Sequence, residues 1–353
     1  VTVQVAQVKI EEVNFDQDLF IDVRSPGEFA EFRLPNAINV PLFSNEERAQ
    51  VGTVFKRNSR EEAIELGLAL YAPKMEYFYK RIKDLQTEMP NRRIVVYCFR
   101  GGLRSRTIAG TIGLLGVDCV QLEGGIRSFR KYIQEGLEQE AQIQREYLVL
   151  SGHTGTRKTE ILNQLQNKGY PVIDLENLAG HRGSIFGYIG VQPNSQKQFD
   201  YLLLKRLKQL EQSPYVIIEG ESKRLGRVIL PDFLLEGKQI GERLELHYPF
   251  WARVEHVYQT YDPIKYKGEI QEGIDKITKY LSYELKEEMK VLLDREDYKG
   301  VFAKLLEGYY DPRYAHKFSS YKSQATELEF ETLDEGVEKV ITYIEHYKTM
   351  IKK

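Results

Sequence analysis

The sequence predicts an α/β protein with a mostly parallel sheet in its N-terminal domain, a second α/β domain and a helical C-terminal region. Three observations carry that expectation. Short apolar runs alternate with helical stretches through the first third of the chain, the pattern of strand–helix–strand crossovers. Two of those runs, Ile94–Tyr97 and Tyr147–Leu150, pass directly into glycine-containing loops that open helices. Towards the end, Ile270, Ile274, Ile277, Leu281 and Leu285 recur at helical spacing, and Val337, Val340, Ile341 and Ile344 form a second apolar face.

Composition bounds the function. A chain of 353 residues is long enough for two or three domains, each with its own core. Its two cysteines form no disulfide framework and have no metal-site partners at ligand spacing, so a reducing cytoplasmic setting is expected. Val1–Ile10 has no signal-peptide pattern, and no apolar run approaches the roughly 20 residues that span a bilayer, so no membrane partner is expected. A net charge of −2 argues against a uniformly basic nucleic-acid binder, while 50 lysines and arginines leave material for local positive patches.

The first domain is placed at 1–135. Leu19–Val23 reads as a strand, and Ser25-Pro26 after it as a helix start. Ile38–Pro41, Ile94–Tyr97 and Val117–Leu122 read as further strands. Cys98 follows Ile94–Tyr97, at the strand end where parallel sheets bind ligands. The loop amides, the following helix N-terminus and Arg100, Arg104 and Arg106 all favour a thiolate there, and the same groups suit an oxyanion beside it. Cys98, Arg100 and Arg104 are therefore the candidate catalytic residues. Cys119 has no activating neighbours and reads as core. Asp22 and Arg24 read either as a scaffold ion pair or as substrate contacts, and Gly124 and Gly125 either as turn residues or as part of the site.

A polar connecting helix, assigned to 136–146, leads to a second domain at 147–248. There the strand Tyr147–Leu150 runs into Ser151-Gly152-His153-Thr154-Gly155-Thr156-Arg157-Lys158-Thr159 and then a helix to Asn167, the arrangement of a P-loop. Gly152, Thr154, Gly155, Arg157, Lys158 and Thr159 are its candidate phosphate or diphosphate ligands, with Thr159 placed to hold Mg²⁺. Arg157 departs from the pattern, standing where the last glycine belongs; it either crowds the loop or adds a cation. Asp174 and Glu219, near the ends of strands Val172-Ile173 and Tyr215–Ile218, are candidates to organise a metal or a water, or else cap helices and pair with arginines. His181 and Arg182 complete this second group, with His181 equally open between capping and function.

Four ordered motifs resemble the rhodanese domain: Asp22–Phe29, Leu34–Pro41, the Cys98 loop and Leu122–Ile126. With the P-loop, Asp174–Ser184 and Ile218–Ser222 added, the chain is similar to the family of bacterial tRNA 2-selenouridine synthases, clearly from about Phe20 to Arg227 and weakly through Tyr309–Tyr314. The resemblance implies a rhodanese-like domain fused to a P-loop domain. It also implies an enzyme acting on tRNA that carries a wobble 2-thiouridine, replacing sulfur by selenium from selenophosphate by way of S-geranylation from geranyl diphosphate. Both donors would be co-substrates, with no tightly bound cofactor, and an enzyme supplying selenophosphate would be a partner. Cys98 would handle the selenium donor and the P-loop the diphosphate.

The region 249–353 is expected to be helical and to touch tRNA. Lys265, Lys267, Lys276, Lys279, Lys286 and Lys290 lie among tyrosines, and such a mixture suits phosphates and unpaired bases as well as a solvated helix face. Two rival classes stay open. Cys98 and Arg104 satisfy the C-x5-R spacing of rhodanese-like phosphatases, and a rhodanese-type sulfurtransferase coupled to a P-loop kinase or ATPase would use the same two loops.

Overall fold

The computed structural model describes residues 5–318 and 325–351. The chain divides into two compact units, Val1–Glu138 and Gln139–Lys353, each built on a five-stranded, all-parallel sheet.

The first unit runs β1 (Gln7–Val8), β2 (Leu19–Asp22), α1 (Pro26–Glu31), β3 (Ile38–Asn39), α2 (Asn45–Arg57), α3 (Arg60–Tyr71), α4 (Met75–Glu88), β4 (Ile94–Tyr97), α5 (Leu103–Leu114), β5 (Cys119–Leu122) and α6 (Ile126–Glu140), the last carrying the chain into the second unit. Its strand order is β1-β5-β4-β2-β3, so β4, which leads into Cys98, is central. All four β4 residues are buried, as a strand covered on both faces requires. Helix starts follow capping chemistry: Ser25, Ser44 and Ser59 accept hydrogen bonds from the amides of Glu28, Glu47 and Glu62. The pair α2–α3 is an insertion that strand alternation did not foretell.

The second unit runs β6 (Glu146–Gly152), α7 (Lys158–Asn167), β7 (Val172–Ile173), α8 (Leu175–Ala179), α9 (Gln196–Gln209), β8 (Tyr215–Glu219), the hairpin β9–β10 (Arg224–Leu225, Val228–Ile229), α10 (Asp232–Ile240) and β11 (Glu242–His247). Helices α11 (Phe250–Tyr261), α12 (Lys267–Ile277), α13 (Tyr283–Asp294), α14 (Tyr298–Leu305) and α15 (Asp311–Phe318) follow, then β12 (Ala325–Glu329) and α16 (Leu333–Ile351). The strand order β12-β11-β6-β8-β7 again makes the loop-bearing strand, β6, central.

The stretch 249–353 is mostly helical, yet it also returns β12 to the edge of the sheet, parallel to β11, and buries Val337, Val340 and Ile344 of α16 in the sheet core. The apolar spacing from Ile270 to Leu285 does not make one helix. Helix α12 ends at Ile277, and Ser282 caps a new start by accepting from the amide of Leu285. Among the described residues no helix is long and apolar enough to cross a membrane.

Candidate functional sites

Cys98 lies at the end of β4, only 2% exposed, and its Sγ receives a hydrogen bond from Ser105 Oγ at 3.1 Å. Gln121 holds that serine through Nε2 (2.8 Å) and also donates to the carbonyls of Gly101 and Gly102, which locks the loop against β5. Gly124 and Gly125 both have positive φ, and the second carries the closer contact. A Cβ on Gly125 would overlap the Cys98 carbonyl oxygen and lie 2.6 Å from the Gly101 amide nitrogen. Arg104 is bound to Glu28 (2.9 Å), an ion pair that Arg48 joins at 3.7 Å. Burial raises the Glu28 carboxyl, but the bond and charge of Arg104, the Ser25 amide and the charge of Arg48 together outweigh it and leave the group below its ordinary range. Arg100 is exposed, over the ring of Phe99. The sulfur thus meets a serine hydroxyl, which no sequence spacing singled out. Asp22 and Arg24 form a buried ion pair at 2.6 Å, with Arg24 also donating to the Phe32 carbonyl, and so stand as scaffold. Burial pushes the Cys119 thiol up to about 11.

In the second unit, Gly152 and Gly155 adopt φ of +151° and +84°, and a Cβ would lie 2.8 Å from the Leu246 carbonyl in the first case and 3.0 Å from that of Arg253 in the second. Arg157 occupies the left-handed region (φ 60°, ψ 25°) as the residue before α7, the conformation the missing glycine would take. Its side chain neither crowds the loop nor closes it: it lies along the rim, bonded to Glu160 Oε1 at 3.1–3.2 Å, while Glu160 Oε2 meets His256 at 3.2 Å. Lys158 Nζ reaches back to the carbonyls of Gly152 (2.8 Å) and His153 (3.1 Å), and Thr159 Oγ1 donates to Glu176 at 2.9 Å. A small cavity of about 80 Å³ is lined by Thr154, Gly155, Arg157, Lys158 and Thr159 of the loop and by Arg182.

The remaining sequence candidates, Asp174, His181 and Glu219, do not line that cavity. Asp174 caps α8, accepting from the Asn177 amide at 2.8 Å, and burial pushes its carboxyl upward. Glu219 is buried at the end of β8; burial and the neighbouring charges of Glu176 and Asp174 push it well above the ordinary range. Its carboxyl shares a hydrogen bond with that of Asp174. His181 takes the Gly183 amide on Nδ1 and packs on Gly187 and Gly226, and burial lowers its pKa. Sequence reading missed Glu176 and Glu221, which face the cavity and, with Glu219, present oxygens within 4.8 Å of one another. Burial, then Glu221, lifts Glu176 to about 8. The signal was present, since each stands two residues after a chosen acid. Sequence reading also missed a clamp over the loop: Arg253 donates to the Thr154 carbonyl (2.9 Å) and binds Asp311 (2.6 Å), which sits 3.0 Å from His153.

A cysteine loop on one parallel sheet and a lysine–threonine glycine loop on another define a rhodanese-like domain joined to a P-loop α/β domain. Comparison with known proteins agrees: a rhodanese-like domain model matches residues 3–132, and a model of the tRNA 2-selenouridine synthase AAA domain matches residues 145–349. The chain belongs to the tRNA 2-selenouridine synthase family. Relatives bearing that name include one from Nitrosomonas europaea, 36% identical over 68% of this chain and 63% of its own length. Another, from Sulfurovum, is 33% identical over 86% of this chain and 90% of its own. The matched region thus spans less than two thirds of the Nitrosomonas europaea relative and nearly all of the Sulfurovum one.

Proposed function

We propose that this chain replaces the 2-thio sulfur of a wobble uridine in tRNA by selenium, using selenophosphate, through an S-geranyl intermediate made from geranyl diphosphate. The observation that carries the reading is the pair of anion-suited loops at the ends of two central parallel strands, one holding a buried thiol and the other a lysine and a threonine.

At the P-loop, the soft thiocarbonyl sulfur attacks the geranyl carbon while the carbon–oxygen bond breaks and diphosphate leaves. Lys158, turned from the Gly152 and His153 carbonyls, and the loop amides stabilise the charge growing on the departing oxygen. Mg²⁺ suits this site: Thr159 and the Glu176, Glu219 and Glu221 oxygens would hold it, three carboxylates within 4.8 Å of one another favour a cation, and the ion would neutralise diphosphate charge. At the Cys98 loop, selenium from selenophosphate adds to C2, the C2–S bond breaks, and the geranyl thiolate leaves and takes a proton. Water takes the phosphorus, which departs as phosphate. Both donors are co-substrates, and a selenophosphate-producing enzyme is the upstream partner. The tie between Arg104 and Glu28 weighs against a C-x5-R phosphatase, whose arginine must face its phosphate.

The test incubates the protein with 2-thiouridine tRNA, geranyl diphosphate and selenophosphate, omitting each donor in turn, and weighs the digested nucleosides. Geranylthiouridine and selenouridine appearing with their matching donors are expected. Neither appearing, with active controls, returns the chain to the sulfurtransferase or phosphatase classes.

A further inference from the structure

Ser105 and Gln121 are fully buried at the thiol loop (0% exposed), and the directions of their hydrogen bonds follow from the groups around them. A carbonyl oxygen only accepts, so the Gly101 and Gly102 carbonyls, 2.8 and 3.2 Å from Gln121 Nε2, fix which end of that amide faces the loop. The other end is fixed from β1, where Gln7 Nε2 donates to Gln121 Oε1 at 2.9 Å. Turning the amide over would set its oxygen against two carbonyls.

That orientation decides what the serine does. Gln121 Nε2 can only donate, so the Ser105 oxygen accepts from it at 2.8 Å and must point its own hydrogen elsewhere. Two acceptors lie in reach. The Gly102 carbonyl is 3.5 Å away and already takes the Arg106 amide at 3.1 Å as well as Gln121, whereas Cys98 Sγ is 3.1 Å away. The hydrogen therefore falls on the sulfur, where it stabilises a thiolate more than a thiol.

We propose that Gln121 is a positioning residue for the cysteine: by holding Ser105 as the donor to Cys98 Sγ, it stabilises that sulfur as an anion. The inference rests on the reading of Cys98 as the reacting group of the first unit and deepens it. The thiol is tuned from β1 and β5 through a chain of three uncharged side chains, Gln7, Gln121 and Ser105, while Arg104 is held by Glu28.

The test titrates the Cys98 thiolate in the full chain by its ultraviolet absorbance, each trace taken as the difference from the same protein carrying Cys98→Ala. The charged groups of the loop and its neighbours stay as they are in every variant, Arg100, Arg104 with its partner Glu28, Arg127 and the Asp22–Arg24 pair included, so a moved midpoint belongs to the hydrogen bond. Ser105→Ala and Gln121→Met should each raise the midpoint by about one pH unit, and Ser105→Thr, which keeps the hydroxyl, should leave it within about 0.3 of the wild type. The double variant Ser105→Ala/Gln121→Met should rise no further than Ser105→Ala, because the amide acts through the hydroxyl. Should Gln121→Met not fold, the wild type decides: the nuclear magnetic resonance signal of its Gln121 side-chain amide should shift with the thiolate midpoint, and in Ser105→Ala that response should vanish. An unmoved midpoint in Gln121→Met, a double variant whose shifts add, or a Gln121 signal blind to the thiol would overturn the proposal. Proteins that titrate as expected while the wild type never selenates tRNA would uphold the amide's role and remove the selenation reading instead.

Discussion

Arg157 shows how a departure from a motif is absorbed by one residue. The left-handed conformation that glycine adopts freely costs another L residue about 1 kcal/mol or more, and here Glu160 and the helix that follows hold the arginine in it. Replacing it by glycine relieves that strain but adds entropy to the unfolded chain and removes the Glu160 contact, so Arg157→Gly should melt within about 2 °C of the wild type. Arg157→Val puts a branched Cβ in the same conformation and should cost about 1–2 kcal/mol. Calorimetry of the three proteins distinguishes a backbone demand from a demand for the guanidinium: if Val and Gly melt alike, the backbone argument is wrong.

At the scale of elements, each site depends on a segment distant in sequence. Gly125 belongs to the turn before α6, yet its missing side chain is what lets that turn lie on the Cys98 carbonyl and the Gly101 amide. Gly125→Ala should displace the thiol loop, destabilise the first unit by about 2 kcal/mol or more, and lower selenium incorporation at least tenfold. Urea unfolding and nucleoside analysis check the two parts, and normal selenation in the variant would show the contact to be slack. On the other sheet, α15 supplies Asp311 to a clamp with His153 and Arg253. Burial raises the Asp311 carboxyl, and the hydrogen bonds from His153 and Arg253 more than offset that, leaving it below its ordinary range. A carboxyl depressed in the folded state contributes stability above its unfolded pKa of about 4, and that contribution is lost as pH falls through the folded value. Asp311→Asn should therefore cost about 1 kcal/mol at pH 7, allowing for solvent screening, with the difference from wild type shrinking below about pH 4. Urea unfolding of both proteins from pH 7 to pH 3 follows this, and a difference constant with pH would assign the effect to packing.

Across the whole molecule, two parallel sheets each place one reactive loop at the end of the central strand, and the chemistry proposed divides in the same way. Single substitutions should then separate the two steps. Cys98→Ala should abolish selenium incorporation, spare tRNA binding and let S-geranyl-2-thiouridine accumulate. Lys158→Ala should weaken geranylation of 2-thiouridine tRNA by about a hundredfold while still converting tRNA already S-geranylated. Mass spectrometry of nucleosides from the two variants on both RNAs is the measurement. Failure of Lys158→Ala on the pre-geranylated RNA would mean that the P-loop serves both steps.

Elements whose cause is local were legible along the chain. The buried strand Ile94–Tyr97, the serine-capped helix at Pro26 and the glycine loops after Tyr97 and Leu150 follow from apolar runs, capping side chains and turn residues within a few positions of one another. Four-motif order and the lysine–threonine loop were enough to place the family. Tertiary structure alone decided the partners: Ser105 on the thiol, Glu28 on Arg104, and Asp311 brought to His153 from 158 residues away. It also decided that β12 joins a sheet begun at Glu146, and that α2 and α3 leave an apolar hollow lined by Phe55, Ile64 and Leu68. The reason is physical: strand and helix propensities act over a few residues, whereas hydrogen-bond partners and cavities depend on which surfaces burial brings together, and no spacing along the chain records that.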